Sequence, residues 1–160
     1  MNSVMKSFMI VVVIFLGLVH AQAAEALMTR EQAVAMLIQQ VIEPSQNKDE
    51  LMAFGPQNML NAGDRVEPAD LEYDTHPENA QTIQGPTWFF WVDTNKWSKF
   101  GHLVYFVYID ASNPNPTIGN GVLVLEQGWW PQINGVEYLS NSDERWVSAD
   151  IVYGEAPTGF

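Results

Sequence analysis

Five residues with metal-binding side chains recur at every second position of one short stretch: Asp70, Glu72, Asp74, His76 and Glu78. On extended backbone such residues share one face, where carboxylates and an imidazole would offer calcium its preferred hard oxygen ligands and one nitrogen. The spacing is not that of an EF-hand loop, which is built around a fixed glycine and ends on glutamate, and the plainer reading is a solvated acidic loop. Calcium is the one cofactor the sequence admits; otherwise none is expected. Asp110, with Asn113, Asn115 and Asn120, makes a second oxygen-rich turn, for which Asx-type capping of the chain is the simpler use. His76 and His102 are far apart and form no metal-ligand spacing, and neither H-E-x-x-H nor G-x-S-x-G occurs. A glycosidase needs a pair of carboxylates about 5 to 10 Å apart, and 19 acidic residues do not single out a pair. No catalytic residue is assigned, and the chain is expected not to be an enzyme. The absence of cysteine removes thiol chemistry and a disulfide frame.

The six tryptophans are the more informative set. Each ring buries about 150 to 250 Å² when packed, so several must serve a core, yet flat rings left exposed would stack on sugars or dock a protein. Trp88, Trp91, Trp97, Trp129 and Trp130 are the candidate binding residues, with Trp146 further along the chain. Charge narrows the partners: 19 acidic against 7 basic side chains give a net charge of −12, a field that repels phosphate backbones and anionic lipid heads. Nucleic acid is not an expected partner, nor is a membrane once the N-terminal segment is removed.

That segment, residues 1–23, has one basic residue (Lys6), an apolar run over 8–19 and the small-residue exit Ala21-Gln22-Ala23, the pattern of a secretory signal peptide. An uncleaved signal anchor is the alternative, but the apolar run is shorter than the roughly 20 residues that span a bilayer. Cleavage after Ala23 would remove Lys6 and take the charge from −12 to −13. The expected location is the periplasm or the extracellular space. Residues 24–160 then make a single domain with a loose tail from Gly154.

Within it, Thr29 and Gln32 have the spacing of a capping box. Val34, Leu37, Ile38, Val41 and Ile42 form one apolar stripe, and Pro44 ends the run, which predicts an amphipathic helix of about four turns. Residues 57–86 are rich in Asn, Asp, Glu, Gly and Pro and read as a long surface connection with one edge strand. Thr87-Trp88-Phe89-Phe90-Trp91-Val92 and the run over 101–109 are aromatic and β-branched and read as two central strands. Neither alternates apolar with polar, the mark of a strand covered on both faces. A loop over 111–121 leads into a third strand over 122–125, with shorter candidates over 135–139 and 151–153.

The helix opening Thr29, Glu31, Ala33, the aromatic strand over 88–91 and the Tyr-Phe-Val-Tyr-Ile-Asp-Ala run over 105–111 resemble the small secreted PepSY-type domains. The chain departs from that pattern where Asp110-Ala111-Ser112-Asn113-Pro114 stands in place of Asp-Ala-x-x-Gly, in the segment 57–86 and in the Trp-rich C-terminal third. The resemblance implies an exported non-enzymatic module, in some members inhibiting or chaperoning a protease. The expected fold is α+β, one long amphipathic helix packed on an antiparallel sheet of about four strands. The expected function is binding of a protein partner through a sheet face or an unpaired strand edge. Self-association as an extracellular structural subunit and carbohydrate binding through the tryptophans are the alternatives.

Overall fold

The computed structural model describes residues 26–69, 80–98 and 101–157. The N-terminal signal-like segment therefore lies outside the described residues, as do the acidic positions Asp70, Glu72, Asp74, His76 and Glu78. Among the described residues no helix is long and apolar enough to cross a membrane.

The first element is α1 (Arg30–Leu37), which continues as a π-helical turn over Ile38–Ile42. Its start is closed by the capping box: the Gln32 N–H donates to Thr29 Oγ1 at 3.3 Å, and Thr29 N–H donates to Gln32 Oε1 at 2.8 Å. At its other end the bonding widens, with Glu43 N–H reaching Ile38 O at 2.8 Å, just before Pro44 prevents continuation.

The rest is mostly sheet. Strands β1 (Met52–Phe54), β2 (Arg65–Pro68), β3 (Gln81–Thr82), β4 (Thr87–Asp93), β5 (Val104–Asp110), β6 (Thr117–Ile118), β7 (Gly121–Gln127), β8 (Pro131–Ile133), β9 (Val136–Glu137) and β10 (Ile151–Tyr153) are joined by one further short helix, α2 (Ser142–Arg145). They form a six-stranded sheet in the order β10-β1-β4-β5-β7-β6 and a four-stranded sheet in the order β3-β2-β8-β9. The expected single helix on a sheet of about four strands is thus replaced, among the described residues, by ten strands in two sheets, with a principal helix only 13 residues long.

The physical reason is the composition of β4 and β5, which pair antiparallel in unbroken register from Thr87↔Asp110 to Asp93↔Val104. Their successive side chains point to opposite faces, and both sets are apolar. On one face Trp88, Phe90, Val92, Val107 and Ile109 pack with Ala33, Leu37 and Ile42 of the helix. On the other, Phe89, Trp91, Phe106 and Tyr108 pack with Leu60, Val66 and Ile83, joined by Ile133, Tyr138 and Trp146. One short helix covers one face, so a second layer must cover the other. The segment 57–86, expected as a surface connection, supplies half of that layer as β2 and β3, and the C-terminal third supplies the rest.

Close approaches tie the layers together. Arg30 donates from its guanidinium to the carbonyls of Gly55 (2.8 Å) and Pro56 (3.2 Å), joining the helix start to the end of β1. A Cβ at Gly55 would stand 2.5 Å from the Phe90 ring, so only glycine fits there. Gln40 reaches from the helix to the opposite sheet edge, donating to Pro116 O (2.8 Å) and accepting from Ile118 N–H (3.1 Å).

The second sheet is held partly by a polar clamp. Asp64 accepts from the Asn61 N–H (2.7 Å) and the Asn134 side-chain amide (2.9 Å), while Asn134 Oδ1 accepts from Arg65 N–H (2.8 Å). These bonds favour the carboxylate and hold Asp64 below the usual carboxylate range. The folded chain therefore takes up this proton at lower pH than the unfolded chain does. The stabilisation is complete above pH ~4, the ordinary carboxylate value, and is lost as pH falls through the depressed folded-state value. Urea unfolding at pH 7 and pH 3 should show a smaller acid destabilisation in Asp64→Asn than in the unaltered chain; equal acid losses would contradict the clamp.

Candidate functional site

Three places gather polar chemistry. The first is ionic. Asp93, the last residue of β4, is 1% exposed, and such a charge must be paired. Its Oδ1 accepts from the Asn95 N–H (2.9 Å) and lies 2.6 Å from His102 Nε2, while Oδ2 is 3.9 Å from the Arg145 guanidinium. Arg145, from α2, donates to Leu139 O (3.0 Å) and Ser140 O (3.3 Å) and lies over the rings of Trp91 (4.8 Å) and Trp146 (5.3 Å). Burial pushes its pKa down, opposed by Asp93, and a guanidinium still remains charged. An Asp–His contact is two members of a proton relay, but here the carboxylate is approached by an arginine, an imidazole and a backbone N–H. That arrangement closes the β4–β5 connection and anchors α2 to the sheet. Asp93→Ala would leave the half-buried Arg145 without its carboxylate and should cost about 3 kcal/mol, read by chemical denaturation; a loss below about 1 kcal/mol, the range of exposed pairs, would contradict a structural role.

The second is the tryptophan set, which the fold divides. Trp88 and Trp91 lie on opposite faces of β4, both buried; Trp88 donates from Nε1 to Met28 O (2.8 Å), and Trp91 stacks on Phe54 with ring centroids 4.9 Å apart. Trp97 lies in the β4–β5 connection, 51% exposed, with the Lys96 ammonium 5.9 Å from its ring. Trp129 and Trp130 follow β7 and meet edge to face at 5.0 Å, Trp130 packing into the second core and Trp129 against Gly101. Trp129 and Trp130 are thus brought together, while Trp88 and Trp91 are separated by the sheet itself. Among the described residues no group of three or more His, Asp or Glu side chains is placed to hold a metal ion.

The third lies at the β7 side of the large sheet and was not singled out in the sequence. There β6 pairs with only the first two residues of β7, Thr117 with Gly121 and Ile118 with Val122. Gly119 N–H donates to Val122 O at 2.9 Å, so Val122 faces outward. By strand alternation Val124 and Glu126 also turn their N–H and C=O groups outward, while Leu123 and Leu125 bond back to β5. Among the described residues no strand other than β5 pairs with β7 beyond Val122. Leu123 is 43% exposed at this edge.

Beside the edge, on the face shared with the second sheet, is a groove of about 530 Å³ between residues 81–85 and the start of β7. Thr82, Gln84, Thr87, Asp110 and Ser112 line it with hydroxyls, an amide and one carboxylate, and Tyr108 contributes from β5. Asp110 Oδ1 accepts from the Ser112 N–H (2.8 Å) and hydroxyl (2.6 Å), the Asx turn expected from the sequence. Tyr108 is 5% exposed, and its hydroxyl has no hydrogen-bond partner among the described residues. The signal for the groove lay in the turn formers around Gly119 and Gly121, both at positive φ, which fold β6 back on β7 and stop its pairing short.

No protein-family model matches the chain, and no match is found among curated proteins or solved structures, so function must be read from this chain's own geometry.

Proposed function

We propose that this chain is an exported, non-enzymatic binding module that holds an extended segment of a protein partner against the outer edge of β7. The observation that carries the reading is the outer edge of β7 at residues 123–126, which no strand among the described residues pairs, in a sheet covered on both faces. Natural edge strands are usually shortened, bulged, covered or charged to prevent pairing. This one presents Leu123, Val124 and Leu125 with a single acidic residue, Glu126. An added strand would take its main-chain hydrogen bonds from Val124 and Glu126 and its side-chain contacts from the alternate positions.

The net charge of −12 favours a neutral or basic segment and opposes pairing of two copies through the same edge. Export rests on the signal-like residues 1–23. The non-enzymatic reading rests on the use of the Asp93, His102 and Arg145 cluster to close the fold.

Selection of a random peptide display library on the full chain tests this. Selected peptides should perturb the amides of Val124 and Glu126 in NMR spectra and should lose at least about tenfold in affinity, equivalent to ~1.4 kcal/mol, against Val124→Pro. Proline at this position removes an outward N–H and leaves the β5 pairing intact. Peptides that bind Val124→Pro as well as the unaltered chain would overturn the reading, and concentration-dependent self-association abolished by the same substitution would replace it with assembly of like subunits.

A further inference from the structure

We propose that the groove between residues 81–85 and the start of β7 binds a neutral, hydroxyl-rich ligand of the class of short uncharged oligosaccharides. The site is distinct from the strand edge, since it lies on the sheet face and uses side chains rather than outward backbone groups.

Its volume of about 530 Å³ falls within the range of small-molecule sites. Its polar side chains, Gln81, Thr82, Gln84, Thr87, Asp110 and Ser112, mix groups that both donate and accept with one strong acceptor. Hydroxyl groups, which also do both, match such a lining. Among the described residues no basic side chain lines the groove, so an anion would meet Asp110 and the chain's overall negative field. Among the described residues a cation would find a single carboxylate, with one oxygen already taking two bonds from Ser112. A wholly apolar ligand would strip water from these polar side chains and return no hydrogen bonds.

Tyr108 is the second and independent observation. Its ring packs against Phe89 at a centroid distance of 5.3 Å, a contact that phenylalanine would make equally well. The hydroxyl adds nothing to this packing and is buried with no partner among the described residues, an arrangement that costs stability. Burial also pushes its pKa well above the usual range for tyrosine, so the group stays protonated and can both donate and accept. A ligand hydroxyl in the groove that Tyr108 lines supplies the missing partner.

The test is titration of the isotopically labelled full chain with maltotetraose, cellotetraose and chitotetraose, each to about 10 mM, enough to reveal a millimolar Kd. At least one should shift the amides of Thr82, Gln84, Ser112 and Gly121 together and saturably. Tyr108→Phe should weaken that binding about tenfold while melting no lower than the unaltered chain. Gln84→Ala, at an exposed position, should weaken it without touching the core. The proposal is overturned if none of the three sugars shifts these amides, if shifts appear only around Trp97, or if both substitutions leave the affinity unchanged. Loss of binding to Val124→Pro with sugar shifts intact would separate the strand edge from the groove.

Discussion

The fold depends on burying both faces of the β4–β5 pair. Seven residue pairs in continuous antiparallel register present Trp88, Phe90, Val107 and Ile109 to one side and Phe89, Trp91, Phe106 and Tyr108 to the other. Each set is far too apolar to face water, and fully burying one such side chain is worth about 1.5–3 kcal/mol. A 13-residue helix satisfies one side. The other draws in segments that have little structure of their own, and four strands of two to four residues assemble over it. Short strands of this kind are marginal in isolation, so the second sheet is a consequence of the first.

Covering is uneven, and the uncovered parts are a strand edge and a groove. The clamp of Asp64 with Asn134 and the ionic cluster of Asp93, His102 and Arg145 fasten the second layer. At the β7 side that layer ends with the two residues of β3, and the hook through Gly119 blocks only the first two positions of β7. An open strand edge and a groove of mixed polar and apolar lining result from the same shortfall. The buried hydroxyl of Tyr108 lies where the apolar core gives way to that groove.

Local signals with strong chemistry were legible in the sequence. Thr29 and Gln32 form the capping box their spacing requires, Pro44 follows the end of the helix, and the segments 87–92 and 104–109 lie in the two central strands with both faces covered. What was not legible was the layer that covers the second face. Strands of two to four residues are too short to show a two-residue period, and in β2 and β3 polar residues outnumber the apolar Val66 and Pro68, so composition alone read them as loop. β3 pairs with β2, and β2 pairs with β8, more than 60 residues later in the chain, which no local window contains. The same long-range dependence hid the groove, since Thr82 and Gln84 come from the segment read as a surface connection while Tyr108 and Asp110 come from a central strand. Trp88 and Trp91 illustrate the converse: their ring type is equally suited to a core or a platform, and only the alternation along β4 combined with two covering layers places them inside.

Amide hydrogen exchange along β7 tests most directly the claim that the large sheet is closed on both faces and open at this edge. Exchange at Leu123 and Leu125, bonded to β5, should be slow and close to that of β4 and β5, while Val124 and Glu126 should exchange rapidly, with β2 and β8 protected as a formed second layer. Uniform protection along β7, or rapid exchange throughout β2 and β8, would contradict it.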